Sequence, residues 1–300
     1  MRTYRLYQVD AFTNQRFKGN PAGVVANADG LTPADMQAVA RELGNSETAF
    51  VLSPTSSDHD AWVRFFTPTT EVPSCGHATI AAHYVRAIEN KLTSCTIVQK
   101  IGAGLLPVDI KKEEDDYTIV MTQGEIEFSE PLAVGTQNRI LGALGLGVDD
   151  LDTRCPVEIV STGHSKVLVG IQDRSKLHSL QPDLTALEQL SSTIGCNGYF
   201  VFALGAVTEK ILAHGRMFAP AIGIPEDPVT GNGNGPLGAY LVNHKILDGA
   251  NQSVSFRARQ GEAMGRPGEV SVTVEMDNGK PTKVRVGGRA VIVFRTDLVL

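Results

Sequence analysis

The feature that most restricts what this chain can fold into is an internal echo. Arg64-Phe65-Phe66-Thr67-Pro68 returns 152 residues later as Arg216-Met217-Phe218-Ala219-Pro220, and Pro73 returns as Pro225 at the same offset. After five extra residues, Gly76-His77 matches Gly233-Asn234, and Ala82-His83-Tyr84-Val85 matches Ala239-Tyr240-Leu241-Val242. Upstream, Gly19-Asn20-Pro21-Ala22-Gly23-Val24-Val25 resembles Gly163-His164-Ser165-Lys166-Val167-Leu168-Val169, and residues 44–52 faintly resemble 195–203. Any one match could be chance, but matches in the same order predict a duplicated α/β unit. Duplication in turn predicts two similar domains with a cleft between them, where small-molecule sites tend to form.

Local signals fill in each copy. Residues 4–12 alternate in the strand manner, and 23–25 are a short buried run. Thr32-Pro33-Ala34-Asp35 opens a helix with an N-cap, a proline at the first helical position and an acid at the third. Leu31 and Met36 are placed as a hydrophobic staple across that start, and Gly44 ends the helix. Residues 48–52 and 61–66 predict strands. The Ala-rich stretch 76–89 predicts a helix packed on several sides. Segments 95–100, 105–111 and 117–122 predict a meander, with the charged run 111–116 as a solvated turn.

Composition excludes several classes. Of 300 residues 42% are hydrophobic, enough for a sizeable core, and 27 basic against 33 acidic side chains leave a net charge of −6. That balance gives no electrostatic case for nucleic acid or an anionic membrane as partner. No apolar run approaches the roughly 18 residues of a spanning helix, and the first ten residues carry no apolar core of signal-peptide length. The expected location is the cytoplasm. Cys75, Cys95, Cys155 and Cys196 are widely spaced with no Cys-x-x-Cys pair, and His77 and His83 stand about 120° apart on a helix. No metal is expected.

Two Gly-rich turns stand at equivalent strand-to-helix transitions: Ser74-Cys75-Gly76-His77, and the stretch from Asp227 through Thr230, Gly231, Asn232 and Gly233 to Gly235. Glycines there let the backbone approach a ligand, and a helix N-terminus offers free N–H groups to an anion; alternatively they only permit tight turns. Neither turn fits a P-loop or a dinucleotide fingerprint. Ionisable candidates near them are Glu47, Glu71, His77, Glu226 and Asp227. Glu47 enters an apolar strand, where a half-buried carboxyl with a raised pKa would suit general acid/base work; the plainer reading pairs it with Arg41 or Arg64. His77 reads as a proton shuttle or a capping group, Asp227 as a functional acid or an Asx-turn residue, and Cys75 as a nucleophile or a small buried hydrophobe.

Phe66-Thr67-Pro68 followed by Glu71, Pro73 and Gly76-His77-Ala78-Thr79 forms one spaced pattern with Asn45-Ser46-Glu47-Thr48-Ala49-Phe50 and Glu226-Asp227-Pro228-Val229-Thr230-Gly231. With the opening Val9-Asp10-Ala11-Phe12-Thr13 and Phe17-Lys18-Gly19-Asn20-Pro21-Ala22-Gly23, it resembles the PhzF-like (phenazine biosynthesis-like) isomerases, and within them the YddE-like proteins. The resemblance implies an α+β fold of two pseudo-symmetric diaminopimelate epimerase-like domains, each a rolled, mostly antiparallel sheet around a central helix. It implies residues 1–117 with 286–300 as one domain and 118–285 as the other, the final strand 290–294 returning to the first. It further implies a cofactor-free isomerase, a homodimer in the ordinary case, moving a proton within a small carboxylic acid. Glu47 would be the acid/base at the domain interface and His77 and Asp227 its assistants. Asn20, Gly76, Thr230, Gly231, Asn232 and Gly233 would hold the substrate. Asn232 departs from the serine usual in the family, which puts the phenazine precursor itself in doubt. The second half carries no cysteine at the place a two-thiol epimerase needs. The alternatives are a non-catalytic carboxylate-binding protein and a single-thiol epimerase using Cys75.

Overall fold

The computed structural model describes residues 2–206, 210–247 and 252–300. The chain divides into two compact units, one running to Thr122 and including Gly287–Leu300, the other Gln123–Val286. In the first, β1 (Thr3–Ala11) and β2 (Asn20–Val25) lead to α1 (Pro33–Leu43). Then come β3 (Thr48–Leu52), β4 (Ala61–Phe66), β5 (Glu71–Val72), α2 (Gly76–Asn90), β6 (Cys95–Ile101), β7 (Gly104–Glu113) and β8 (Asp116–Thr122). The second holds β9 (Ile126–Phe128), α3 (Val134–Leu144), β10 (Glu158–Thr162), β11 (Lys166–Ile171), α4 (Arg174–Ser179) and α5 (Leu184–Ile194). It continues through β12 (Tyr199–Leu204), β13 (Ala213–Ala219), β14 (Ile224–Asp227), α6 (Gly231–Asn243), β15 (Ser253–Gln260) and β16 (Gly268–Asp277) into β17 (Lys280–Val299), whose end lies in the first unit. Among the described residues no helix is long and apolar enough to cross a membrane.

The pairing order is the same in both units. β1–β2 is antiparallel, β2–β3 parallel, β3–β4 and β4–β5 antiparallel, β4–β6 parallel, β6–β7 antiparallel. In the second unit β10–β11, β11–β12, β12–β13, β13–β14, β13–β15 and β15–β16 repeat that sequence of senses. β8 pairs with β7 and β17, and β17 with β1, which closes the first sheet into a barrel. In the second, the Gln123 N–H donates to the Val284 carbonyl and the Gly124 N–H to Thr162, while β9 pairs with β10.

Each roll wraps its own helix. Ten of the fifteen residues of α2 are buried, as are eleven of the thirteen of α6. A helix apolar on all sides is stable only where it is covered on all sides. The outer layers differ. In the first unit α1 lays Met36, Val39 and Ala40 onto Tyr4, Leu6, Val25, Phe50 and Phe66. In the second, residues of α3, α4 and α5 cover Val167, Val169, Tyr199, Val201 and Phe218. The start of α1 is a capping box, the Thr32 N–H donating to the Asp35 carboxylate (2.9 Å) and the Asp35 N–H to Thr32 Oγ1 (3.2 Å). The Thr32 hydroxyl (2.7 Å) and the Thr32 N–H, both donating to the Asp35 carboxylate, hold it below its ordinary range.

The duplication extends to side chains. Arg64 grips Glu71 with two bonds of 2.7 Å, its guanidinium 5.2 Å from the Phe66 ring. Arg216 grips Glu226 at 2.9 and 2.8 Å, 4.9 Å from the Phe218 ring. Glu71 and Glu226 are therefore structural anchors, and Arg64 is occupied with Glu71.

Three local expectations need correction. The helix of the second half begins at Gly231, two residues before Gly233, because Thr230 is already the extended cap whose carbonyl takes the Asn234 N–H. Lys111 to Glu113 extend β7 and Asp116 opens β8, since they pair across a tight hairpin, Lys111 with Thr118, Lys112 with Tyr117 and Glu113 with Asp116. The last strand runs 20 residues, far beyond 290–294: residues 290–299 pair with β1, and β17 pairs with β8 as well.

Candidate functional site

In the first unit an acid, an imidazole and a thiol meet at the start of α2. Gly44 ends α1 in the left-handed conformation (φ 66°), its N–H returning to Ala40. The chain turns through Asn45, which trades two bonds with Gln8 (3.0 and 2.9 Å), to Glu47, whose carbonyl takes the Gly23 N–H at 3.4 Å. Backbone fixed at both ends of this short turn places the Glu47 side chain. Glu47 Oε2 lies 3.4 Å from His77 Nε2, and Ser46 Oγ lies 3.3 Å from the same nitrogen. On the other edge of the ring, Nδ1 is 3.5 Å from Cys75 Sγ. The His77 and Glu47 side chains keep only 7% and 13% of their exposure. No side chain caps α2, whose cap residue is Cys75 itself; its first N–H groups and dipole favour an anionic ligand group.

The second unit builds its turn around Gln260, which is 1% exposed. Its Nε2 donates to the Asp227 carbonyl (2.8 Å) and to Thr230 Oγ1 (3.1 Å). Its Oε1 accepts from the Thr230 N–H (3.0 Å) and Asn234 Nδ2 (3.1 Å). The Thr230 hydroxyl donates to the Asp227 carboxylate, and Asn232 Oδ1 accepts from Gln123 Nε2 (3.0 Å), whose Oε1 takes the Thr162 hydroxyl (2.6 Å). Every polar side chain of the turn named here has an internal partner, so its shape is set before any ligand arrives.

The glycines separate into two kinds. A Cβ on Gly233 would stand 2.6 Å from Phe200 Cδ2, and one on Gly235 would collide with the Gln123 amide. These two are demanded by close packing of α6. A Cβ on Gly76 would meet Met121 Cε at an ordinary 3.5 Å, so the fold does not require glycine there. Asn20, 1% exposed, opens β2 opposite Ala11.

Glu47, Cys75 and His77 are thus brought together within the first unit, and Asp227, Thr230 and Asn232 within the second. Phe50 and Phe66, close to Glu47 in the sequence pattern, stack edge to face at 5.4 Å in the core under α1. Sequence reasoning passed over Ser46 and Gln260, and Lys166. Only Lys166 left a signal, a lysine where the matched run of the first half has Ala22. Donor atoms able to hold a metal occur in two groups among the described residues, Glu47 with Cys75 and His77, and His178 with His214 and Glu262. In the latter, Glu262 already takes Arg174 at 2.9 Å and His214 at 2.6 Å, partners that hold its carboxyl low against the opposing effect of burial.

The pattern of the phenazine biosynthesis-like protein family (PhzC-PhzF) matches residues 9–296. The chain is 56% identical to an uncharacterised isomerase of Clostridium acetobutylicum, across 100% of this chain and 99% of the relative. It is 49% identical to the uncharacterised isomerase YddE of Escherichia coli K12, across 98% and 97%. It is 31% identical to the trans-2,3-dihydro-3-hydroxyanthranilate isomerase of Pseudomonas fluorescens, across 97% and 98%. A solved PhzF-family phenazine biosynthesis protein of Bacillus anthracis superposes with TM-score 0.89 at 31% identity, covering both chains fully. A hydroxyproline epimerase of Agrobacterium vitis shares the fold, with TM-score 0.66 at 13% identity across 100% and 93%.

Proposed function

Since the chain belongs to the phenazine biosynthesis-like (PhzC-PhzF) family, we propose that it is an isomerase shifting a proton between carbons of a small, possibly cyclic, carboxylic acid. The observation that carries this is the shielded Glu47–His77 contact of 3.4 Å at the mouth of α2. Glu47 takes the proton from one carbon and returns it to another on the same face. His77, steadied by Ser46 and Cys75, orients the acid or a polar group of the substrate. Catalytic contacts often tighten only in the working complex, and 3.4 Å suits such a pair. The Gly76 N–H region receives anionic oxygen, and Asn20, Asp227, Thr230, Gly231 and Asn232 serve substrate binding, with Gly233 shaping the turn through its packing on Phe200. The reaction has no net redox change, so acid/base side chains suffice and no cofactor is invoked. The substrate of the Pseudomonas relative, a cyclic amino acid, belongs to the proposed class.

Glu47→Gln tests the assignment. Solvent deuterium incorporation into trans-2,3-dihydro-3-hydroxyanthranilate, or into whichever acid a metabolite screen finds, should fall by about 10²-fold or more with binding retained. Exchange at the wild-type rate in that variant would end the mechanism.

The 3.5 Å Cys75–His77 contact favours one further reading, a single-thiol epimerase. The residue capping α6, as Cys75 caps α2, is Thr230, whose hydroxyl is spent on Asp227. A two-thiol exchange therefore has no second thiol at that cap. Cys75→Ser should keep most turnover; complete loss with binding intact would promote the thiol reading.

A further inference from the structure

Two groups of side chains among the described residues bring three metal-binding donor atoms within 4.8 Å of one another. They are not equivalent. In the second unit the Arg174 guanidinium already holds Glu262 at 2.9 Å and donates from Nε to His178 Nε2 at 3.4 Å. Arg216 adds a second cation, its Nη1 3.5 Å from the His178 carbonyl. A divalent ion there would have to displace one cation and sit beside another.

The first unit presents the opposite case. Among the described residues no lysine or arginine pairs with Glu47, whose ion-pair partner is His77. The imidazole lies between a carboxylate and a thiol, Nε2 3.4 Å from Glu47 Oε2 and Nδ1 3.5 Å from Cys75 Sγ. Tetrahedral zinc, with bonds of about 2.0 Å to nitrogen or oxygen and about 2.3 Å to sulfur, sets its ligand atoms roughly 3.3–3.5 Å apart. Each neighbour of the ring already has that spacing. One ion takes one ring nitrogen, so the donor on the other edge must turn toward it, and the half-buried Ser46 and Glu47 leave it room to turn and the ion a way in. Water fills the fourth position, as in other zinc sites with three protein ligands.

Charge and donor type agree. A thiolate and a carboxylate cancel the charge of the ion, so the centre is neutral where Cys75 and His77 are buried. The α2 N-terminus, which no side chain caps, favours the thiolate form of Cys75. Sulfur and nitrogen donors suit zinc, whereas magnesium and calcium take oxygens.

We propose that Glu47, His77 and Cys75 form a zinc-binding site, and that zinc bound there switches the protein off. Binding sends the Cys75 thiol proton to solvent and changes no oxidation state. All three donors belong to the first unit. The switch, unlike the site, rests on the isomerase reading above, since an ion held by Glu47 occupies the lone pairs of the proton carrier. The site also gives Cys75 a role that proton shuttling does not. Glu47 joins Cys75 and His77 only on folding, so cysteine and histidine spacing in the sequence does not record the set.

The test is titration of the whole, reduced protein, first stripped of metal by a chelator, with cobalt(II) as a visible probe and then with zinc. Wild type should show tetrahedral cobalt bands with a thiolate-to-cobalt charge-transfer band, both lost when zinc is added. Cys75→Ser should lose the charge-transfer band and bind zinc at least about 100-fold more weakly, since losing a ligand costs more than losing its outer partner. His77→Gln should weaken zinc binding similarly and His214→Gln should not; thermal melts verify that each variant is folded. The zinc concentration that halves solvent deuterium exchange should rise in Cys75→Ser by the same factor as its dissociation constant, each protein being measured against its own metal-free rate. No thiolate band in wild type, or equal zinc affinity in folded Cys75→Ser, would overturn the site. So would binding lost in His214→Gln and kept in Cys75→Ser. Cobalt bound through Cys75 with exchange undiminished by zinc would keep the site, overturn the switch and remove Glu47 as the proton carrier.

Discussion

A methyl group added to two glycines of the second unit should move stability in opposite directions. Gly142 lies inside α3 on an exposed surface, with nothing within 4 Å of a Cβ. Alanine there removes backbone freedom from the unfolded chain and should stabilise by roughly 0.5–1 kcal/mol. Gly233 lies in α6 with Phe200 Cδ2 and Cε2 only 2.6 and 2.8 Å from the added carbon. The ring cannot retreat, because on another side a Cβ on Gly215 would be 2.4 Å from Phe200 Cζ. Overpacking costs about 1–3 kcal/mol, against about 1 kcal/mol of helix propensity gained, so Gly233→Ala should destabilise by up to about 2 kcal/mol. For a chain of this size 1 kcal/mol corresponds to roughly 2–4 °C, and both positions lie in one unit, so the same unfolding transition reports both. Thermal and urea melts of the two variants are the assay. Gly233→Ala melting at or above wild type, with carboxylate binding lost, would refute the packing account and return this glycine to the ligand.

Other outcomes follow from burial and charge. His83 is wholly buried with Nε2 2.9 Å from Gln99 Oε1, and burial pushes its pKa down to about 4. Its folded pKa lies below the unfolded 6.5, so its stabilising effect is full above pH 6.5 and is lost as pH falls toward 4, by roughly 3 kcal/mol. The stability difference between wild type and His83→Gln, followed by urea melts from pH 7 to 4, should shift by about that amount; a constant difference would contradict it. Arg216 also donates to the Leu180 and Leu177 carbonyls at 2.8 and 3.2 Å, so Arg216→Met should cost about 3–5 kcal/mol. Arg64→Met, at the more exposed duplicate pair, should cost less, and equal losses in melts would negate the burial argument. Gly76→Ala should melt within about 0.5 kcal/mol of wild type yet bind carboxylates more weakly; a large loss of stability would show that glycine serves the fold there.

Much of the local structure was legible because it is written in short-range chemistry. The Thr32 cap with Asp35, the stop at Gly44 and the strands at 48–52 and 61–66 depend on neighbours within one turn or on alternation, and they stand where the residues predict them. The repeat was legible too, because Arg64 and Arg216 each keep a phenylalanine two residues on and a glutamate further along. The two-residue slip at α6 was not, since sequence matching cannot tell where an insertion sits inside a Gly-rich turn; the Thr230 carbonyl's bonds decide it.

The candidate site divides the same way. Sequence alone nominated Glu47 and His77, and tertiary structure brought them to 3.4 Å by folding β3 beside β2 and setting α2 within the roll. Whether a glycine belongs to a ligand or to a neighbour is a matter of what stands opposite it. Gly76 faces room, Gly233 faces Phe200, and Gly198 faces Met217 and the stem of Lys166. The partners that crowd Gly233 and Gly198 are 19 to 33 residues away in the chain, and the steric repulsion between them exists only once the sheet has rolled around its helix. The sequence by itself thus determined the elements, the repeat and the chemistry on offer. Only the packed structure decided which glycines hold the fold and which glutamates are anchors.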